Sequence, residues 1–185
     1  MFLSALKKIS RYSNSRIIFE ILYFFSNPWK LNSKAEVHRF KSINHFLLNQ
    51  NNNKLYNHIL EIGCGEGHHT EFLSQISKKI TSIDISKNAI RKAKKKNITN
   101  VKFINKKLEL LNKTNQFDLI IASEVIYYIK DVEIFIKKIE SLKIKYLLTI
   151  YSLEYEHLKN LFMDSKFVHD EIIYKKINWK IIFKK

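Results

Sequence analysis

All three glycines of this 185-residue chain lie within five positions, at Gly63, Gly65 and Gly67. Because glycine adopts backbone angles that other residues avoid, such a cluster indicates a tight turn or a close approach to a ligand. The apolar run 58–62 before the turn predicts a buried strand, and residues 68–76 after it have the apolar spacing of one helix face. Strand, glycine turn and helix form the first half of a nucleotide-binding crossover, which indicates an α/β protein.

The spacing of the glycines narrows the choice of ligand. A dinucleotide fingerprint requires its last glycine at position 68, where this chain has His68, and a phosphate-binding loop requires a Gly-Lys-Ser/Thr sequence that does not follow. The pattern here is instead an acid, Glu61, followed by glycines at positions 63, 65 and 67. A chance glycine turn in an α/β protein is the alternative interpretation.

The remaining elements follow in the order that an open parallel sheet requires. Residues 1–50 are predicted to form an N-terminal helical lid, and residues 51–185 the core of the same single domain. The expected fold is a Rossmann-like, doubly wound sheet of about seven strands with a C-terminal antiparallel hairpin. Strands after the first are predicted at 79–85, 101–105, 117–123, 145–151, 167–177 and 178–185, and helices at 31–48, 87–96, 132–141 and 154–165.

Asp84 lies near the end of the second predicted strand, 21 residues after Gly63. Ligands of open parallel sheets bind at the carboxyl ends of the strands, and an acid at this distance from the glycines can accept hydrogen bonds from ribose hydroxyls. The sequence therefore predicts a ligand that carries a ribose.

Several strings of this sequence together resemble one branch of the class I S-adenosylmethionine (SAM) methyltransferases, the nodulation protein S-like N-methyltransferases. The strings are LEIGCGEGH at 60–68, SEVIYY at 123–128, and FEILY at 19–23 leading to NPW at 27–29. The resemblance extends over roughly residues 17–183. It implies a SAM cofactor, a seven-stranded fold with an N-terminal lid, and methylation of an amine, which in known relatives belongs to a glucosamine-type sugar.

The resemblance also implies which residues bind the cofactor. In that family the glycine turn passes beneath the methionine part of SAM. Apart from the resemblance, if residues 31–48 form a helix over the cofactor cleft, Trp29 can cover the cofactor and Arg39 can pair with its carboxylate, whereas core packing is the alternative for both. The small volume of Cys64 is enough to explain its place in the turn. The expected cofactor-binding residues are Glu61, Gly63, Cys64, Gly65, Gly67, Asp84, Ile85, Ser123, Trp29 and Arg39.

One departure concerns the adenine end of the cofactor. Such families usually carry an acid after the third strand that holds the adenine amino group, but the matching position here is Lys107, which has no hydrogen-bond acceptor. Three alternatives follow. Asn105 or Glu109 substitutes for the acid, backbone and packing hold the adenine, or SAM affinity is weak.

The candidate catalytic residues are Glu124, Tyr128 and His68. An amine attacks only when it is neutral, so a carboxylate or imidazole that takes its proton assists the transfer, and Glu124 follows the most apolar strand. Tyr128, together with Tyr127, can wall the acceptor site, because ammonium groups pack on aromatic faces. The alternatives are a solvated or capping acid at 124, core tyrosines, and an ordinary polar residue at the helix start for His68.

Composition limits the other possibilities. A single cysteine excludes a disulfide framework and a multi-cysteine zinc site, so no metal is expected. The chain has no run of about 18 uncharged apolar residues that would predict a membrane span, and we expect a cytoplasmic protein. The basic stretch 3–16 is either a membrane-surface helix or a frayed N-terminal helix. The oligomeric state stays open.

The formal charge of +16 comes from 29 lysines and only 4 arginines. Arginine is the residue that reads bases and clamps phosphates, so nucleic-acid binding is possible but not favoured. The sequence favours a SAM-dependent methyltransferase with a small-molecule acceptor. The alternatives are an RNA-directed methyltransferase, motivated by the charge, and a non-catalytic SAM-binding module, motivated by Lys107.

Overall fold

The structure, a computed structural model, describes residues 2–13, 15–25, 27–108 and 116–185. Within these ranges seven strands form one sheet, whose spatial order is β3-β2-β1-β4-β5-β7-β6 when the strands are numbered along the chain. The strands are β1 (Ile59–Ile62), β2 (Ile80–Asp84), β3 (Val101–Asn105), β4 (Leu119–Ser123), β5 (Tyr146–Tyr151), β6 (Phe167–Tyr174) and β7 (Ile177–Lys184).

The pairing of the strands confirms the predicted fold class. Strands β1 to β5 pair in parallel, whereas β7 lies antiparallel to both β5 and β6. The sheet is therefore a Rossmann-like, doubly wound sheet of seven strands with a C-terminal antiparallel hairpin. The order of the strands reverses at β1, between β2 and β4, and ligands of such sheets bind outside the carboxyl ends at this switch point.

Helices precede the sheet and connect its strands. The described part of the chain contains α1 (Phe2–Ser13), α2 (Arg16–Leu22), α3 (Lys34–Gln50), α4 (His68–Leu73), α5 (Lys87–Lys94), α6 (Val132–Ser141) and α7 (Ser152–Leu158). Helix α3 begins three residues later than predicted because the Ser33 hydroxyl caps it by accepting a hydrogen bond from the Glu36 N–H. Helix α7 is shorter than predicted, since a tighter 3-10 turn over Lys159–Phe162 follows it and brings Phe162 into the core.

Strands β1 and β4 are buried on both faces, which explains their nearly continuous apolar sequence. Alternate residues of a strand point to opposite faces. Accordingly, Leu60 and Ile120 belong to one core cluster, and Ile59 and Ile121 belong to the cluster on the other side of the sheet. A division of the domain at residue 50, with a lid before it, stays a prediction.

Candidate active site

A cavity of about 280 Å³ lies at the carboxyl ends of the central strands, at the switch point of the sheet. Its lining comes from the glycine turn after β1, from the ends of β2 and β4, and from the N-terminal helices. All of the predicted site residues line this cavity except Gly67 and His68. The structure therefore brings together residues that lie up to about a hundred positions apart in the sequence.

The glycine turn forms the floor of the cavity. Gly63 and Gly65 have φ angles of 72° and 54°, in the left-handed region. A Cβ atom would lie 2.4 Å from Val125 Cγ2 if it were added to Gly63, and 2.6 Å from Tyr23 Oη if it were added to Gly65. Both positions therefore require glycine for conformation and for space. Gly67 instead faces Phe103, where it allows β3 to pack closely.

The backbone N–H groups of the floor have partners within the protein. Gly63 and Cys64 donate to the Ile83 carbonyl at 2.8 and 3.1 Å, and Gly65 donates to Asp84 Oδ2 at 2.9 Å. Sites that bind pyrophosphate use such N–H groups for the ligand. The floor therefore suits a ligand that lies flat against the backbone without a phosphate.

Two buried carboxyl groups border the floor. Asp84 also accepts a hydrogen bond from the Ser86 N–H at 2.8 Å, and Glu61 accepts hydrogen bonds from Thr70 Oγ1 at 2.6 Å and Ser82 Oγ at 2.7 Å. Burial raises the pKa of Asp84 to about 6 and that of Glu61 to about 7. A carboxylate has about four lone-pair sites, so both acids can accept further hydrogen bonds from hydroxyl or ammonium groups.

The two adjacent histidines of α4 differ in their relation to the cavity. The His69 ring lines the cavity and stacks on Phe40 with 4.7 Å between ring centroids, and its Nδ1 lies 3.9 Å from Glu61 Oε1. Neither ring nitrogen of His69 has a hydrogen-bond partner among the described residues. Burial, helped by the Arg39 charge, lowers the pKa of His69 well below its usual value, so the ring is neutral at pH 7.

His68, the predicted catalytic histidine, is not brought to the cavity. Successive residues of a helix point about 100° apart, so only one of two adjacent histidines can face a given ligand. The structure instead places the adjacent His69 at the cavity.

Aromatic residues of α2 and of the segment that follows it form the roof. Trp29 donates a hydrogen bond from Nε1 to Tyr128 Oη at 3.0 Å, and its ring lies 5.0 Å from that of Tyr23. Phe19 completes the group with its ring 5.5 Å from Tyr128. Trp29 and Tyr128 both line the cavity, and their contacts with a cofactor and an acceptor stay predictions. Phe19 and Tyr23 were not predicted as site residues, although both lie in the FEILY string.

Two carboxylates fasten the roof to the core. Glu20 of α2 accepts hydrogen bonds from the N–H groups of Lys87 and Asn88 at 2.6 and 3.0 Å, and so caps the first turn of α5. Glu66 of the glycine turn accepts hydrogen bonds from the Asn27 N–H at 3.0 and 3.1 Å. The segment before α3 is therefore tied to the elements that carry the floor.

Glu124 lies directly after β4, on the side of the cavity that we call the wall, together with Arg39 and Tyr127. Its φ angle of 59° is unusual for a residue with a side chain, and such strain is typical of functional sites. Its carboxyl group accepts hydrogen bonds from Tyr127 Oη at 2.8 Å and from Thr149 Oγ1 at 3.2 Å. Burial raises the pKa of Glu124 to about 7 against the opposing charge of Arg39.

Arg39 is buried within this wall. Its guanidinium donates hydrogen bonds to Glu36 at 3.0 Å, to Thr149 Oγ1 at 3.3 Å, and to Ser123 Oγ. These contacts occupy several of its donors, so Arg39 stabilises the wall, and its pairing with a cofactor carboxylate stays a prediction. No sequence pattern marks Thr149, which reaches the site only because β5 pairs with β4.

The adenine end of the predicted site is apolar with a basic rim. Ile85, Leu108 and Lys107 line the cavity there, whereas Asn105 does not and uses its side-chain amide to bond the Asp84 carbonyl at 2.9 Å. Glu109 lies outside the described residues. Among the alternatives for holding adenine, the geometry favours packing between Ile85 and Leu108.

The family of the protein follows from comparison with known sequences. A sequence model of the family "Nodulation protein S (NodS)" matches residues 17–149, which is more than half of the chain. The chain belongs to the NodS family.

Individual NodS proteins match over shorter stretches. NodS of Sinorhizobium fredii is 31% identical over 109 residues, which cover 57% of this chain and 49% of that protein. NodS of Bradyrhizobium diazoefficiens is 32% identical over 75 residues, covering 40% and 36%. The matched stretches thus span about half or less of these curated relatives.

A solved NodS structure has the same fold. The N-methyltransferase NodS from Bradyrhizobium japonicum WM9, in complex with S-adenosyl-L-homocysteine, superposes with a TM-score of 0.75 at 18% identity, over 94% of this chain and 99% of that one. At this identity the likeness concerns the fold.

Two further properties concern the described part of this NodS-family chain. Its residues include no group of three or more His, Cys, Asp or Glu side chains arranged to hold a metal ion. None of its described helices has the length and apolar composition that a bilayer span requires.

Proposed function

We propose that this NodS-family chain is a SAM-dependent methyltransferase that acts on a small-molecule amine. One observation carries the proposal: a single cavity joins a glycine floor bordered by buried acids to a wall with a carboxyl group of raised pKa. The names of its relatives support methyl transfer, since they include an N-methyltransferase NodS and the ubiquinone biosynthesis O-methyltransferase of Pelagibacter ubique. The latter is 32% identical over 83 residues, covering 43% of this chain and 35% of that protein.

The chemistry of the floor fits SAM. Asp84 can accept hydrogen bonds from ribose hydroxyls and Glu61 from the methionine ammonium, while the unpartnered ring nitrogens of His69 offer a donor to the methionine carboxylate. Ile85 and Leu108 suit an adenine ring. When bound, SAM supplies a methyl group on a sulfonium, which a neutral nucleophile attacks in line.

Glu124 is positioned to serve the acceptor. A general base works best when its pKa lies near the working pH, and burial brings the pKa of Glu124 to about 7. Tyr127 and Thr149 each bond one carboxyl oxygen and so fix the orientation of the group. We propose that Glu124 attracts the protonated amine and takes its proton, and that Tyr128 packs against the acceptor.

We further propose that the acceptor is an amino sugar and that the protein acts in the cytoplasm. The family resemblance supports the amino sugar, and aromatic rings beside a carboxylate suit a sugar ammonium. The cytoplasmic location rests on the sequence expectation alone.

The test is to incubate the protein with SAM and a panel of acceptors and to measure S-adenosylhomocysteine. The panel contains amino sugars, other primary amines, hydroxyl analogues of the same sugars, and transfer RNA. We expect product with amino sugars and none with the hydroxyl analogues. Product with RNA alone would show an RNA-directed enzyme, and SAM binding without product from any acceptor would show a non-catalytic module.

A further inference from the structure

Helix α2 has apolar residues on two opposite faces. Its inner face is buried through Phe19, which belongs to the roof of the cavity, and Leu22. Its outer face carries Ile17 and Ile21, and Phe24 follows in the turn after the helix; these residues are 71%, 38% and 74% exposed. All three line one shallow groove, and we call them the outer stripe.

The outer stripe lacks polar residues that would solvate it. Within α2 only Arg16 and Glu20 are polar. Glu20 is bonded to the first N–H groups of α5, and Arg16 lies 3.7 Å from Glu20 and 3.4 Å from the Asn105 amide oxygen. A helix that is apolar around its circumference is normally covered on all sides. A contiguous exposed apolar patch of this kind indicates an interaction surface.

Helix α5 contacts α2 and carries exposed basic side chains. Asn88 of α5 lines a shallow groove together with the stripe and Glu20, and Arg91 and Lys95 follow Asn88 by three and seven residues, on the same side of α5. Both are exposed, and α5 contains no acidic residue.

Two acidic groups of the described residues near this surface, Glu20 and Glu66, are already engaged. Glu20 caps α5, and the Glu66 carboxylate pairs with Lys92 Nζ at 2.9 Å. The same lysine also donates to the Phe25 carbonyl at 2.7 Å, which ties the basic helix to the end of the stripe. The surface is therefore an apolar stripe with a net positive border.

We propose that the outer stripe and the basic side of α5 dock onto an anionic membrane surface. Peripheral helices bury apolar side chains at the headgroup boundary while neighbouring Lys and Arg side chains attract anionic lipids. A second copy is a poorer occupant, because a two-fold contact sets a patch against itself and would bring the two α5 helices, both basic, close together. This proposal does not depend on the proposed function.

Docking of the outer stripe would also affect the cavity, because the stripe lies on the helix that covers it. Because the two faces belong to one helix, which is about 10 Å across, a membrane on the outer face lies directly behind the roof formed by Phe19 and Tyr23. Docking would restrain the helix that covers the cavity.

The test is co-sedimentation of the full chain with vesicles of phosphatidylcholine, with and without an equal share of phosphatidylglycerol. We expect binding to the anionic vesicles alone. Ile17→Ser combined with Phe24→Ser should weaken it by about tenfold or more. Ile134→Ser is the matched control for the apolar substitution, because Ile134 is 67% exposed on α6, and it should bind as the wild type does.

A second pair of variants tests the basic border. Arg91→Glu with Lys95→Glu should weaken binding by about tenfold or more, since each basic residue near an anionic surface contributes roughly a fivefold factor. Lys137→Glu with Lys138→Glu on α6 makes the same change of net charge at exposed positions and should have a smaller effect. Circular dichroism and S-adenosylhomocysteine binding should be unchanged in all variants.

Several outcomes would overturn the proposal. They are absence of binding to anionic vesicles, equal losses in the α6 controls, and losses confined to the charge variants, which would indicate general electrostatic attraction. A dimer in analytical ultracentrifugation that Phe24→Ser dissociates would assign the stripe to a second copy instead.

Discussion

The floor and the wall of the cavity present similar chemical groups, but the backbone forms the first and side chains form the second. Each has a buried glutamate whose pKa burial raises to about 7, Glu61 at the floor and Glu124 at the wall. Each also has left-handed backbone, but the floor uses Gly63 and Gly65 for it, whereas at the wall Glu124 itself has a φ of 59°. Such a conformation costs a residue with a side chain about 1–3 kcal/mol. The floor is thus a main-chain structure and the wall an assembly of side chains.

The largest effect on ligand affinity is expected from Gly65→Val. The substitution places a branched side chain at a φ of 54° and within 2.6 Å of Tyr23 Oη, so the floor must distort. We expect calorimetry to show S-adenosylhomocysteine affinity lower by more than about 100-fold, which corresponds to roughly 3 kcal/mol.

Gly67→Ala is the matched control for the floor. Its Cβ would meet Phe103 at 3.1 Å, away from the cavity, so it should lower the melting temperature and leave the ligand affinity nearly unchanged. Similar losses of affinity in both variants would show that the glycines act through stability alone.

Glu124→Gln tests the wall without touching the floor. The variant keeps the shape but removes the group that takes the proton, so turnover should fall by about 10²–10⁴-fold. Wild-type turnover should rise as the pH passes through about 7, because the carboxyl group with its raised pKa becomes deprotonated there. Steady-state rates of the variant should lack this rise and recover partly at higher pH, where more amine is neutral. A fully active variant would remove Glu124 from the chemistry.

Asp84→Ala should destabilise the floor and lower the affinity for the ligand. The carboxylate binds the N–H groups of Gly65 and Ser86, and each unpaired buried donor costs about 1–3 kcal/mol. We expect a lower melting temperature and, in titrations, an S-adenosylhomocysteine affinity lower by about tenfold or more. An unchanged affinity in the folded variant would exclude Asp84 as a ribose ligand.

The smallest effect on ligand affinity is expected from His69→Phe, and the comparison with His68→Phe distinguishes the two histidines. His69→Phe keeps the stacking on Phe40 but removes the two ring nitrogens, which have no hydrogen-bond partner among the described residues, so the affinity for S-adenosylhomocysteine should fall by about tenfold, as for one lost hydrogen bond to a charged group. His68→Phe should leave the affinity unchanged. If His68→Phe has the larger effect on affinity, our assignment of His69 is wrong.

The contrast between floor and wall also explains what the sequence could predict. Glycine spacing and strand periodicity are local signals, so the turn at 63–67, the seven strands and Asp84 could be predicted. Hydrogen bonds of the wall join residues as distant as Arg39 and Thr149, which no local pattern connects. The sequence also could not show which of His68 and His69 lines the cavity, because α4 has only six residues and its apolar pattern does not fix the orientation of the helix. Phe19 and Tyr23 lay within the FEILY string, yet only the packing of α2 shows that they face the cavity.

The most direct test of the central claim, that floor and wall are separable sides of one SAM site, is calorimetric titration of the wild type and Glu124→Gln with S-adenosylhomocysteine. We predict saturable binding to one site, with the same dissociation constant in both proteins. Absence of saturable binding to the folded wild type would contradict the assignment of the floor. Loss of binding in Glu124→Gln would contradict the separation of the two sides.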